Sequence, residues 1–367
     1  MVAADLRIPH FVSPTRLRTL AAIAPLVVTL ACSASPPPVP PPLPAGIPVE
    51  PPPMLPKVGA PGPRAPAPVL SEVLSASAGP EAPPPLPPPP QHRIVHENLT
   101  AVRVNPLGLE NRYLVAWRER LYRHESAALR DNHVGIAVSH IQSPALHRHG
   151  VVVEARPLTL LTLTAGLHRV GYYGSLQFLQ GYPDAQVDFS DSAMRRGAAD
   201  GKNRPAHGIE AELRGQLLGK VGPIVIRSDA SFYYTEVELL AGERAYYTPR
   251  YDLLMPNRGF ALTNDNDVVY LSSSGFVAGV RTSVAHAFYD AATLRGLEDE
   301  NGPTVRVGPL VAYTFFDTPG ARFNKPTVFL NAGFWLAHRF RTGLDVSQAM
   351  PMIAAGFRFE GELFGRE

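Results

Sequence analysis

The sequence predicts an all-β protein: an antiparallel, up-and-down transmembrane β-barrel of about 12 strands, preceded by a disordered proline-rich segment. Three observations carry this reading. The composition changes abruptly near Arg93, and apart from Phe11 every Phe, Tyr and Trp lies beyond that point. From there apolar residues recur every second position, the period of strands whose side chains alternate between two faces. Many of the alternating runs also exceed the usual soluble strand of about five or six residues, and approach the roughly 9–11 that cross a bilayer at a tilt.

The N-terminal segment, residues 1–31, reads as an export signal. Arg7, Arg16 and Arg18 precede an apolar stretch from Leu20 to Ala31. That stretch is too short for a membrane helix, which needs roughly 20 residues, and it ends in small residues as signal peptides do. The 367-residue chain has one cysteine, Cys32, so no internal disulfide is available. Thr29-Leu30-Ala31-Cys32 resembles a bacterial lipobox, which implies that Cys32 becomes a lipidated N-terminus. Ordinary cleavage near Ala34, discarding Cys32, is the alternative; both readings export the chain.

Residues 32–92 read as a linker. Most of the chain's 40 prolines fall there, in runs such as Pro51-Pro52-Pro53 and Pro87 to Pro90. Proline removes backbone donors and fixes φ, so the segment favours extended polyproline II without a core. It serves as a spacer or as a motif for a periplasmic partner.

Residues 93–367 carry the alternation. Ile209, Ala211, Leu213 and Leu217 oppose Glu210, Glu212, Arg214 and Gln216. Leu161, Leu163, Ala165 and Leu167 oppose Thr162, Thr164 and His168. Ile224, Ile226, Ala230 and Phe232 oppose Arg227, Asp229, Ser231 and Tyr233. Phe276, Ala278, Val280 and Val284 oppose Arg281 and Ser283, while Val328, Leu330, Phe334 and Leu336 oppose Asn331, Trp335 and Arg339. Ile353, Ala355, Phe357, Phe359 and Leu363 oppose Arg358, Glu360 and Glu362.

Alternation alone does not say which face meets water. Export, strand length and aromatic residues near strand ends (Tyr113, Trp117, Tyr172, Tyr173, Tyr233, Tyr234, Tyr313, Phe315 and Phe340) favour a barrel with its apolar face in lipid. The C-terminal stretch IAAGFRFEGELF resembles the closing strand of bacterial outer-membrane barrels. That resemblance implies recognition by the barrel assembly machinery, a wall in contact with outer-membrane lipids and an N-terminal linker in the periplasm. Reading the connections back from the last strand, the long ones at Tyr172–Arg204, Glu236–Arg258, Ala291–Gly302 and Thr342–Met350 fall on one side. The short ones near Arg156–Leu158, Leu218–Gly222 and Ser272–Ser274, with Asp317–Lys325, fall on the other. Ten strands is the alternative count, because the first strand is weakly marked and Tyr122–Asn132 is long for an inner turn.

The expected lumen-lining residues are Arg214, Arg227, Arg281, Arg339, Arg358, Glu210, Glu212 and Asp229. They read either as a passage biased toward anions or as an interior closed by ion pairs, since buried charge needs a partner. His147 and His149 share one face of a strand, but neither they nor the Asn264–Asp267 run matches a metal motif, so no metal or cofactor is expected. Ser139 and His140 are adjacent and face oppositely, so they cannot share a proton. A net charge of +2 is too small to argue for nucleic acid and no basic block adds to it, so no nucleic-acid partner is expected. The expected role is a channel, structural or surface-interaction protein of the outer membrane, without enzymatic activity. A barrel enzyme acting on lipid or peptide at the outer surface, and a soluble lipocalin-like binder, are the alternatives.

Overall fold

The computed structural model describes residues 88–342 and 350–366. The export signal, Cys32 and the proline-rich tract up to Pro87 lie outside the described residues, as does part of the Thr342–Met350 connection. In chain order the elements are β1 (His92–Val104), β2 (Gly108–Glu119), α1 (Ala127–Arg130), β3 (His133–Gln142), β4 (Leu146–Leu158), β5 (Leu161–Tyr173), β6 (Gly181–Tyr182) and α2 (Asp191–Ala199). They continue with β7 (Pro205–Val221), β8 (Ile224–Val237), β9 (Ala245–Thr248), β10 (Leu253–Pro256), β11 (Gly259–Leu271), β12 (Phe276–Phe288), β13 (Thr304–Thr314), β14 (Asn324–Ala337) and β15 (Met352–Arg366).

Twelve of these strands close into one barrel, so the expectation of twelve holds over ten; β6, β9 and β10 form a separate three-stranded sheet. Every barrel pair is antiparallel, and the wall closes where β1 pairs with β15, from His92 opposite Arg366 to Val104 opposite Ile353. Closure removes both sheet edges, so no row of backbone donors is left without a partner. The β7–β8 turn is tight because Gly222 takes a left-handed φ of 57° before Pro223. The long inner connection before β3 is stabilised by Asn132, whose side-chain oxygen accepts the Leu121 and Tyr122 backbone N–H groups at 3.0 and 2.9 Å.

The wall is inverted relative to a soluble protein. Val153, Ala165, Leu213 and Phe232 lie in register across β4, β5, β7 and β8 and face outward; Leu213 is 61% exposed. Neighbouring Glu210 is buried on the inner face. A single register slip would exchange the two sets, so the pattern fixes the register. The outward apolar set includes Ile136, Val138, Leu167, Val268, Leu330 and Leu336, forming a continuous band rather than scattered residues.

Both described ends of the barrel chain, His92 and Arg366, lie at one end of the barrel with the tight β4–β5, β7–β8 and β11–β12 turns and the longer β2–β3 and β13–β14 connections. The connections after β5, β8, β12 and β14 gather at the other end. The aromatic expectation needs one correction. Tyr113, Trp117, Tyr173, Tyr313 and Phe315 are exposed outside, but Tyr172 and Tyr233 are buried and Phe340 packs against a core built from the long connections. The cause is the period of two: Tyr172 and Tyr173 must face opposite ways, and the inward ring has an apolar partner, Tyr246, at 6.1 Å.

Leu213→Arg and Leu330→Arg should each destabilise the barrel by about 2–4 kcal/mol in reversible folding into lipid bilayers. Glu212→Ala should cost less, because Arg148 keeps Glu210 as a partner at 2.7 Å. Equal tolerance of both arginines would mean that the apolar face does not contact lipid.

Candidate functional site

The inner face of the wall is a set of cross-strand ion pairs. On β7 and β8, Arg214 donates two hydrogen bonds to Asp229, at 2.7 and 2.5 Å, and Gln216 adds a third at 3.1 Å. Arg227 and Arg281 share Asp267, each at 2.7 Å. Arg148 lies between Glu210 and Glu212 at 2.7 and 2.6 Å. Arg358 reaches Glu97 and Glu360 at 3.4 and 3.3 Å. Strand register explains the pairing: Asp229 faces Gln216, and Asp267 faces both Arg227 and Arg281. Opposite charges directly across a ladder stabilise it, and each desolvated charge needs such a partner.

Seven of the eight residues expected to line the lumen thus share the inner face. Arg339 does not: β14 ends at Ala337, and Arg339 lies among the long connections. There its guanidinium donates to the carbonyls of Val187 and Gln186 and pairs with Glu300 at 2.7 Å. Asn264–Asp267 forms the middle of β11, with Asp267 committed to Arg227 and Arg281. His147 and His149 face outward. Among the described residues no group of three or more His, Cys, Asp or Glu is arranged to hold a metal.

The feature that sequence reasoning missed is the β9–β10 hairpin. Its tip, Pro249–Asp252, folds into the barrel mouth instead of extending away. Arg103 of β1 donates to the carbonyls of Pro249 and Arg250, the latter at 3.2 Å. Arg250 reaches Glu210 of β7 at 3.3 Å and lies 5.0 Å from the ring of Tyr251. Tyr251 packs on Tyr233 of β8 at 4.7 Å between ring centres. Above the tip, the sheet packs its apolar side on Val170, Tyr172, Ala206, Ala261 and Ala285, the inward residues near the outer ends of their strands. Its other side meets Phe189 and Met194, around α2.

Asp252 anchors the tip. Tyr247 donates its hydroxyl to Asp252 at 2.6 Å, His338 lies 3.4 Å away, and Arg341 binds both carboxylate oxygens. Arg341, with a side chain only 1% exposed, also holds Asp191 at the start of α2 and Asn105 in the β1–β2 turn. One guanidinium therefore ties together the hairpin, the β5–β7 connection, the β14–β15 connection and the wall. Burial pushes the Asp252 carboxyl up, but Arg341 and His338 outweigh it and hold it down at about 2. Burial likewise opposes the charge on Arg341, and Asp252 more than restores it.

The exposure of the ion pairs changes along the lumen. At the hairpin, Arg148, Glu210 and Asp252 are nearly inaccessible, whereas the side chains of Arg214 and Arg358 are 42% and 43% exposed. Toward the end where β1 begins, Asp131 and His133 are again nearly inaccessible, held with Arg93, Arg156 and Glu154, so the exposed pairs lie between two buried levels. Because most arginines face a carboxylate, the inner surface alternates in sign rather than presenting one charge.

No protein-family model matches the sequence. No curated protein matches it. Among solved structures, the chain is similar to the KdgM porin, with a TM-score of 0.33 and 9% identity over 72% of this chain and 98% of that one. It is similar to the CymD monoaromatic hydrocarbon channel, with a TM-score of 0.35 and 9% identity over 76% of this chain and 90% of that one. A third is LpxR from Salmonella typhimurium, with a TM-score of 0.33 and 10% identity over 72% of this chain and 99% of that one.

The Asp252–Arg341 latch yields a pH prediction. A carboxyl whose folded pKa is depressed from 3.8 to about 2 contributes stability above its unfolded value and loses it as the pH falls through the folded one. Protease resistance of the hairpin should therefore be constant from neutral pH to about pH 4 and fall only as the pH approaches about 2. Arg341→Ala should remove that resistance at neutral pH, because a buried carboxylate stripped of its partner costs about 3–5 kcal/mol. Loss of resistance near pH 6 in the wild type would contradict this assignment.

Proposed function

We propose that this protein is an outer-membrane channel for small polar solutes, with its outer mouth shut by the β9–β10 hairpin. The observation that carries the reading is the exposure of mid-wall ion pairs at Arg214 and Arg358, below the buried pairs at the hairpin tip. An interior closed throughout by side chains would not leave Arg214 and Arg358 more than two-fifths exposed. A barrel of 12 strands lies between the filled interiors of about eight strands and the open channels of about 16–18, so a folded-in segment decides whether it passes solutes.

The membrane setting is supported by the outward apolar band. It is also supported by the gathering of the long connections at one end, which is the outer one in barrels of this kind. On that orientation the hairpin faces out, the exposed ion pairs lie below it, and the Asp131–His133 cluster lies at the periplasmic end. Opening requires the tip to leave Arg103, Glu210, Tyr233 and Arg341. The alternating charge of the wall favours hydrated polar solutes with weak preference for sign. Passage, rather than catalysis, also agrees with the engagement of His338: its Nδ1 accepts the Phe340 N–H at 3.0 Å and its Nε2 lies on Asp252.

Planar-bilayer recording tests this reading. The wild type should show a small, intermittent conductance, and replacing Ala245–Pro256 by a short Gly-Ser segment should raise it several-fold with longer openings. A hairpin-less variant that folds, judged by heat-modifiable migration, yet conducts no more than lipid alone would refute a channel.

A further inference from the structure

Four histidines lie on the outer wall near the outer ends of their strands, and the channel leaves them unused. Strand register sets them side by side. His140 of β3 faces His149 of β4, which faces Arg169 of β5. One step nearer the mouth, His147 of β4 faces Gly171 of β5, which faces His207 of β7. Each belongs to the outward-facing series: Val138, Val151 and Leu167, the next outward residues toward the barrel's middle, are exposed apolar side chains. The cluster therefore sits directly above the lipid-facing band.

The rings form a column. His140 and His149 stack at 6.3 Å, His149 and His147 at 5.3 Å with planes 9° apart, and His147 and Tyr173 at 5.3 Å. His147 Nδ1 is 3.0 Å from the Tyr173 hydroxyl. Gly171 leaves a notch between His147 and His207: a Cβ there would lie 2.6 Å from His147 Nε2 and 3.1 Å from His207 Nδ1. Two ring nitrogens from different strands thus converge over a residue without a side chain. Of the charged groups that adjoin the cluster, Arg169 is cationic and Glu236 is committed to Arg258 at 2.8 Å. Glu238 follows β8 next to His207, and Tyr113 and Gln142 complete the border on β2 and β3.

We infer that this cluster is a binding site for the phosphate headgroup of an acidic lipid in the outer leaflet, engaged more strongly as the histidines protonate. The inference rests on the membrane reading of the barrel and deepens it by naming a lipid partner. Histidine gains a positive charge on protonation, so in acid these rings become cations beside Arg169, packed closely enough to repel each other. A phosphate dianion among them removes that repulsion and accepts hydrogen bonds from ring N–H groups and the guanidinium. The apolar row beneath takes the acyl chains of the same molecule. Neither a neutral headgroup nor an apolar solute uses the charged half of this arrangement.

The test uses the full-length protein in neutral detergent, with bisphosphorylated lipid A as the probe and native mass spectrometry as the readout. Wild type should retain several-fold more lipid A at about pH 5.5 than at about pH 7.5. The triple variant His147→Gln, His149→Gln, His207→Gln should lose that difference, and Arg169→Gln should lower retention at both pH values. Unchanged retention and pH dependence in the triple variant, with heat-modifiable folding intact, would overturn the site. So would equal retention of phosphatidylcholine, displacement by equimolar inorganic phosphate, or retention that needs added zinc. Those results leave the membrane reading standing, whereas a wild type that takes up no lipid of any kind defeats both.

Discussion

Lipid offers a backbone no hydrogen-bond partner, and the rest of this structure follows from that constraint. A wall that crosses a bilayer with strands has to close, because an open edge would strand a row of unpaired N–H and C=O groups. Closure of β1 on β15 fixes an inside and an outside, and the two-residue period then assigns every side chain to one of them. Apolar residues go out to lipid. Most of the wall's arginines, glutamates and aspartates go in, where each is taken from bulk water and requires a partner from the facing strand.

This internal pairing also explains how the mouth closes. A hairpin entering a charged lumen must bring its own counter-charges and satisfy the backbone carbonyls at its tip. Pro249–Asp252 does both: Arg103 occupies the carbonyls, Arg250 adds to the Glu210 cluster, and Asp252 neutralises Arg341. Farther out, where the wall's inward residues become alanine, valine and tyrosine, the hairpin presents Tyr246, Leu253 and Met255. The polarity of the plug changes along its length in step with that of the wall. Arg341 joins both regions, so the latch is one buried ion pair supported by tyrosine and histidine rather than many surface contacts.

The wall was legible in the sequence because its signal is local and repeated. Glu210 to Gln216 against Ile209 to Leu217 needs no tertiary knowledge to read, and turn residues such as Gly222-Pro223 mark the strand ends. The plug was not legible, because its determinants are distant: Asp252 and Arg341 are 89 residues apart and neither lies in a recognisable motif. One local signal was present. Leu253-Leu254-Met255 follows Tyr246-Tyr247 within a connection assigned to the outside, and an apolar run of that kind in a solvated loop calls for burial. Arg339 was misplaced for a related reason, since its alternation with Trp335 continues past the point where β14 ends.

The hairpin seals the outer mouth over a mid-wall interior that solvent reaches. Because Cys32 is the chain's only cysteine, a Cys32→Ser background makes single introduced thiols unambiguous reporters. Lys202→Cys lies in the exposed β5–β7 connection, and Gln216→Cys on the inner face below the hairpin, beside Asp229. The decisive measurement is labelling of the two by a membrane-impermeant maleimide on intact cells. The account predicts rapid reaction at Lys202→Cys and none at Gln216→Cys until the periplasm is opened. Comparable labelling of both on intact cells would contradict the sealed mouth, and labelling of Lys202→Cys only after permeabilisation would invert the barrel.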